Sequence, residues 1–225
     1  MEEFSLHIGR AIVRFRDFSG MDLATLRQKG TELQPYFARM PESYLSAITP
    51  VHVYIVTGFP GGRSFGGGGY YPQGEMANWQ NREQRTGVPN AYLNAPDFPY
   101  GLVAVLSSKL TNNAYHFTVM HEVMHMVDHR LHLSERLTLA QLAGIRYGRI
   151  DRRRGVWVEN PRIGEYFAEA YARYLINPNS ICRTRGESTI EINGREVVVE
   201  LPDMIPPGQT QSTCSARIRT ALESL

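Results

Sequence analysis

The chain has 225 residues, enough for one large domain or two small ones, and an apolar content of 42% supports a substantial core. A net charge of only +2 excludes a broadly basic nucleic-acid-binding surface, and the run Arg152-Arg153-Arg154 lacks the interleaved aromatic residues of such a surface. No apolar run is long enough to span a membrane. The segment MEEFSLHIGR lacks the apolar stretch of a signal peptide. We therefore expect no nucleic-acid partner, no membrane span and no cleaved signal.

The first elements predicted in chain order are a helix and a strand. Residues 22–48 favour a helix capped by Asp22 and interrupted near Pro35. Residues 51–57, VHVYIVT, are β-branched and aromatic, which predicts a strand. The glycine-rich segment 58–74 lacks the Gly-Lys-Ser/Thr ending of a phosphate loop, so it predicts a surface loop or a flap over a substrate cleft.

The central part of the chain predicts two strands followed by helices. A short strand at 88–94 and a stronger one at 101–107 come first, and we take 101–107 as an edge strand. A helix at 113–132 follows, then a short helix near 137–145. A further helix at 163–175 is bounded by prolines.

The C-terminal part predicts a hairpin and a last helix. Asn193-Gly194 lies between two β-branched runs, which is a hairpin turn signal, and 212–224 is amphipathic. The two cysteines, Cys182 and Cys214, flank this hairpin. They form either a disulfide, which would imply an oxidising compartment, or two buried thiols.

The most informative motif is His121-Glu122-Val123-Met124-His125. On a helix, positions i and i+4 lie on one face, so both imidazoles can bind one tetrahedral zinc ion. Glu122 lies at the edge of that face, where it can act as a base toward water rather than as a ligand. The apolar residues of the helix fall on the opposite side, so the histidines are expected to face a cleft.

Other polar residues follow on the same helical face. Asp128 is placed to accept a hydrogen bond from a ligand imidazole and fix its tautomer. His129 and His132 are interpreted as surface positions.

A catalytic zinc site needs a third protein ligand. The position six residues after His125, where metzincins carry a third histidine, is Leu131, so this chain is not a metzincin. A glutamate from a later helix is the other solution. Glu165 and Glu169 lie one turn apart in GEYFAEAYA, and we keep both as candidates, with the other in the outer shell.

The pair HEVMHMVD and NPRIGEYFAEAYARY resembles the motifs of gluzincin-type zinc peptidases. These include the lethal factor catalytic domain, the Pro-Pro endopeptidases and the Mlc titration factor family. The compact size also suggests the C-terminal metallopeptidase effector domain of a VgrG-type type VI secretion spike. The resemblance covers residues 115–175 and implies His121 and His125 as zinc ligands, Glu122 as base and one of the two later glutamates as third ligand.

One departure concerns the residue that stabilises the oxyanion. Lethal factor-like enzymes carry a tyrosine seven residues before the ligand glutamate, and those positions are Val158 or Arg162 here. The electrophile must come from elsewhere, with Tyr147, Tyr166, Tyr171 and His129 as candidates.

The resemblance implies an α+β, zincin-like fold: a small mixed sheet packed on the active-site helix and a second, glutamate-bearing helix. We expect a single domain over 1–225, with core motifs in 101–175 and a C-terminal hairpin and helix in 181–225. The expected function is zinc-dependent peptide-bond hydrolysis on a protein or peptide substrate.

A bacterial toxin or effector domain is the expected setting, delivered as part of a larger protein and countered by an immunity protein. A cytoplasmic protein is the alternative. Two other functions stay open: a non-catalytic binding module that keeps the fold, and a zinc amidase acting on cell-wall crosslinks. The intact Glu122 argues against the binding module, which has no use for a base.

Overall fold

The computed structural model divides the chain into two compact units, Met1–Arg130 and Leu131–Leu225. The residues that it describes are 1–61, 67–94, 98–111, 114–130, 136, 138, 141, 148–151, 156–159, 162–183, 186–192, 195–201, 205 and 208–223. The predicted helix near 137–145 falls largely outside these residues, and so does the Asn193-Gly194 turn.

The first unit is a sheet covered by helices. Its described strands are β1 (Glu2–Ile8), β2 (Ala11–Asp17), β3 (Val51–Val56), β4 (Gly68–Tyr71) and β5 (Leu102–Leu106). Its described α-helices are α1 (Leu23–Phe37), α2 (Glu42–Ile48), α3 (Glu83–Thr86) and α4 (Ala114–Arg130). Short 3-10 helices lie at Gln73–Trp79, Asn90–Tyr92 and Ser107–Lys109.

The five strands form one mixed sheet in the order β1-β2-β3-β5-β4. β2, β3 and β5 run parallel, whereas β1 and β4 pair antiparallel to their neighbours. The prediction that 101–107 is an edge strand is therefore wrong, because β5 lies between β3 and β4. The edge is formed by β4, which comes from the glycine-rich segment expected to be a loop or flap. The predicted strand at 88–94 is instead the 3-10 helix Asn90–Tyr92.

Strand β3 is buried along its whole length, because both faces of the sheet are covered. On one face, α1 contacts β1 and β2, and α4 contacts β4 and β5. On the other face, buried aromatic and aliphatic residues from the β3–β4 and β4–β5 connections pack together with strand residues. This cluster comprises Tyr54, Val56, Phe59, Met76, Trp79, Val88, Leu93, Phe98, Leu102 and Ala104.

Helix α1 keeps Pro35 inside it and ends at Phe37, so the interruption predicted near Pro35 comes slightly later. Asp22 caps the helix as predicted, since its carboxylate accepts a hydrogen bond from the backbone N–H of Thr25 at 2.8 Å. A second helix, α2, begins after Pro41. The predicted helical stretch 22–48 is therefore two helices.

A carboxylate joins α1 to the start of α4. The hydroxyl of Tyr115 donates a hydrogen bond to Glu32, and the Lys29 ammonium and the His116 ring each lie 3.3 Å from the same oxygen of Glu32. The hydrogen bond from Tyr115 is the main cause that lowers the pKa of Glu32 to about 2. The charged carboxylate therefore holds the two helices together.

Replacing this carboxylate should make the free energy of unfolding less sensitive to acidic pH. The pKa of Glu32 is lowered on folding. The charged carboxylate therefore stabilises the folded protein fully above its ordinary pKa of 4.5, and this stabilisation is lost as the pH falls toward about 2. We expect Glu32→Gln to lower the free energy of unfolding at pH 7 by at most about 1 kcal/mol, since the group is partly solvated. Denaturant titrations should show this deficit shrinking between pH 4.5 and pH 2. The exposed Glu42→Gln is the control, and a deficit independent of pH would contradict the assignment.

The second unit contains strand pairs and two described α-helices. β6 (Gly148–Asp151) pairs with β7 (Val156–Glu159), and β8 (Gly186–Ile192) pairs with β9 (Arg195–Leu201). The antiparallel pairing of β8 with β9 confirms the predicted C-terminal hairpin. The helices are α5 (Arg162–Ile176) and α6 (Gln211–Glu223).

A disulfide joins Cys182, which follows α5, to Cys214 in α6. The neighbouring Ser215 hydroxyl accepts hydrogen bonds from the backbone N–H groups of Ile181 and Cys182, at 3.1 and 3.0 Å. Of the two alternatives for the cysteines, the structure has the disulfide. Among the described residues, no helix is both long enough and apolar enough to cross a membrane.

Candidate metal centre

The two motif histidines lie side by side on α4. Their Nε2 atoms are 3.1 Å apart, and the two rings are nearly perpendicular. Two nitrogens bound to a tetrahedral zinc ion at about 2.0–2.1 Å lie roughly 3.3 Å from each other. The pair His121 and His125 therefore has the spacing of two ligands that share one ion.

Helix α4 has the predicted two-sided character. Its apolar residues are buried, with Val119, Val123, Met126 and Val127 at 0–1% exposure. The motif histidines and Glu122 are half-buried instead. Burial of the apolar side fixes the helix to the sheet and leaves the imidazoles and the carboxylate accessible.

Glu122 lies against the edge strand. A Cβ placed at Gly68 of β4 would be 3.1 Å from Cγ and 3.3 Å from Oε1 of Glu122. The carboxylate is therefore next to the backbone of β4. Glu122 also follows the first motif histidine directly in the sequence. A base that acts on water at this centre needs such a position close to the ligands.

No family model, no curated protein and no solved structure matches this chain. The resemblance to gluzincins therefore depends on the motif residues.

The two candidate glutamates occupy the same helix, α5, but differ in their surroundings. Glu169 is buried, and its Oε1 accepts hydrogen bonds from Arg173 and Arg183, both at 2.6 Å. Burial alone would raise the pKa of Glu169, but the two guanidinium groups outweigh it and hold the pKa below its ordinary value. Glu165, one turn earlier, is half-buried.

Glu169 should therefore be a stabilising residue of its unit. We expect Glu169→Gln to lower the free energy of unfolding at pH 7 by about 2–4 kcal/mol, because two arginines lose the charge that they share. Since the pKa is lowered on folding, this deficit should shrink as the pH falls below the ordinary value of 4.5. Chemical denaturation followed by circular dichroism measures it.

The exposed Glu223→Gln on α6 is the matched control and should unfold like the wild type. A Glu169→Gln variant as stable as this control at pH 7 would contradict the role of the arginine pair.

The remaining predicted residues are placed as follows. Asp128 is 7% exposed, so it is a buried residue of α4, and its hydrogen bond to a ligand imidazole stays a prediction. Of the candidates for the electrophile, Tyr166 and Tyr171 are buried in α5, whereas His129 is exposed. Tyr147 and His132 lie outside the described residues.

Sequence analysis missed two contributions to this centre. Strand β4 was missed because its glycines lack the β-branched signature of a strand. Tyr70 of β4 packs its ring 6.0 Å from that of His129 and donates a hydrogen bond to the carbonyl of Tyr100 at 2.9 Å. Burial raises the pKa of Tyr70 to about 12, so its hydroxyl keeps the proton that it donates.

Proposed function

We propose that the chain is a zinc-dependent peptidase of the gluzincin type, in which His121, His125 and Glu165 hold one zinc ion. The observation that carries the proposal is the 3.1 Å separation of the two Nε2 atoms beside the carboxylate of Glu122. A zincin-like fold is part of this proposal.

The choice of Glu165 over Glu169 follows from charge. A carboxylate that already binds two guanidinium groups through one oxygen has less negative charge to offer a divalent cation. The arginines would also repel that cation. Glu165, one turn earlier on the same helix, is half-buried. Glu169 then acts from the outer shell by fixing α5.

When bound, zinc would supply an activated water and a Lewis acid for a substrate carbonyl. Glu122 is the base that takes the proton from the attacking water and gives it to the leaving amine. His129, exposed one turn after His125, is the candidate to donate a hydrogen bond to the developing oxyanion.

In the part of the chain that the structure describes, no strand pairs with the outer edge of β4, and this free edge is the proposed binding position for an extended peptide. The N–H of Leu106 donates to the carbonyl of Gly67 at 2.9 Å, one position beyond the first pair of the β4–β5 ladder, Gly68 and Val105. In an antiparallel pair, successive residues direct their backbone N–H and C=O groups alternately toward and away from the partner strand. Gly67 directs its carbonyl toward β5, so Gly68 and Tyr70 direct their backbone groups away from it. A substrate strand could pair with these groups by β-augmentation, next to Glu122.

Zinc content tests the ligand set. We expect about one zinc per wild-type chain after dialysis without chelator, because the site supplies three protein ligands. Glu165→Ala should lose this zinc, since two protein donors remain. Glu169→Gln should keep most of it, because loss of an outer-shell partner weakens affinity by about 10–100-fold. Elemental analysis, with circular dichroism to confirm folding, measures both.

Wild-type retention in Glu165→Ala would refute the gluzincin ligand set. The third ligand would then be sought at Glu169, Asp128, His129 or His132.

Hydrolysis tests the role of Glu122. We expect Glu122→Gln to keep zinc and fold but to digest casein or a peptide library at least about 10²–10⁴-fold more slowly, because the base is removed. The control is Glu75→Gln, at an exposed position of the 3-10 helix Gln73–Trp79. Undiminished digestion by Glu122→Gln would contradict the mechanism. No digestion by the zinc-loaded wild type would favour the binding module or the cell-wall amidase.

The toxin or effector setting, the delivery as part of a larger protein and the immunity partner stay predictions. Toxicity on expression that disappears in Glu122→Gln would support them.

A further inference from the structure

Gly68 lies at the point where β4 comes closest to α4. A Cβ built at this position would be 2.4 Å from Cγ2 of Thr118 and 3.1 Å from Cγ of Glu122. The first distance is far below any normal carbon–carbon contact. Any residue larger than glycine would therefore force the strand or the helix to move.

Thr118 is a stiff neighbour. It is β-branched and lies in a helix, where few side-chain rotamers are allowed. Its hydroxyl also donates to the carbonyl of Ala114 at 3.3 Å, which holds the methyl group in its present direction. The side chain cannot easily turn away, so a Cβ at position 68 should displace the strand.

The rest of β4 is held in place on both sides of Gly68. Gly67 has a φ of +102° and lies against the side chain of Lys109, a conformation that suits only glycine. The Tyr70 hydroxyl is bonded to the carbonyl of Tyr100 at 2.9 Å. A displacement at Gly68 would therefore be local and would change the distance between the free edge of β4 and Glu122.

We infer that Gly68 is a positioning residue for the proposed hydrolysis. Its missing side chain lets the edge strand approach α4 until the strand backbone lies against Glu122. This approach sets how far a peptide paired with β4 lies from the carboxylate that moves the proton. The inference rests on the proposed function.

The test is a double-variant cycle of Gly68→Ala with Thr118→Ser. Serine removes the colliding methyl group and keeps the hydroxyl that bonds to Ala114. We expect Gly68→Ala to keep its zinc and to lower kcat on casein-derived peptides by about 10²-fold, since misplacement by about 1 Å has this effect. KM should stay within about threefold, because the free edge remains. Thr118→Ser alone should match the wild type, and the double variant should recover most of the lost kcat.

Melting temperatures of the zinc-free proteins provide a readout that does not require activity. Gly68→Ala should melt several degrees lower than the wild type, and adding Thr118→Ser should restore most of that loss. Recovery of both kcat and melting temperature supports the inference.

Three results would overturn the inference. The first is full kcat in Gly68→Ala. The second is a loss of kcat that Thr118→Ser does not restore, which would mean that the close approach is not its cause. The third is a wild type that hydrolyses nothing. That result removes the proposed function and the positioning role together, and the melting temperatures would still report the steric contact.

Discussion

The packing of α4 against the sheet is the constraint on which the candidate centre depends. The helix buries its apolar side against β4 and β5, and this fixes the direction of the opposite side. The two imidazoles then converge and the carboxylate of Glu122 meets the edge strand. A rotation of the helix by one residue would turn the imidazoles toward the core, so the hydrophobic effect determines the position of the polar groups.

Much of the fold could be predicted because the relevant signals are local. The structure contains two helices that were predicted from the helical periods around His121 and Glu165. It also contains the strand that was predicted from the β-branched run at 51–57. The N-terminal hairpin of β1 and β2, which was not predicted, also has a local signal in the alternating apolar residues on either side of Gly9. Strand β4 had no such signal, because a strand made of glycines is specified by its neighbour β5 and by the space beside α4.

At the site, sequence spacing identified residues on one helix but not pairings between distant segments. Helical geometry alone places His121 and His125 together. The same geometry made Glu165 and Glu169 look equivalent. They differ because Arg183, which lies beyond the end of α5 and 14 residues from Glu169, folds back onto one carboxylate. No helical period encodes that contact, since it depends on the course of the chain after the helix.

The disulfide has a topological consequence. The bond between Cys182 and Cys214 closes a covalent loop that contains the β8–β9 hairpin. If a protease cuts the backbone inside this loop, the two fragments remain one molecule, and α5 with its glutamates stays attached to α6. Only a reductant would separate them, so a nicked chain runs intact in a non-reducing gel and divides in a reducing one.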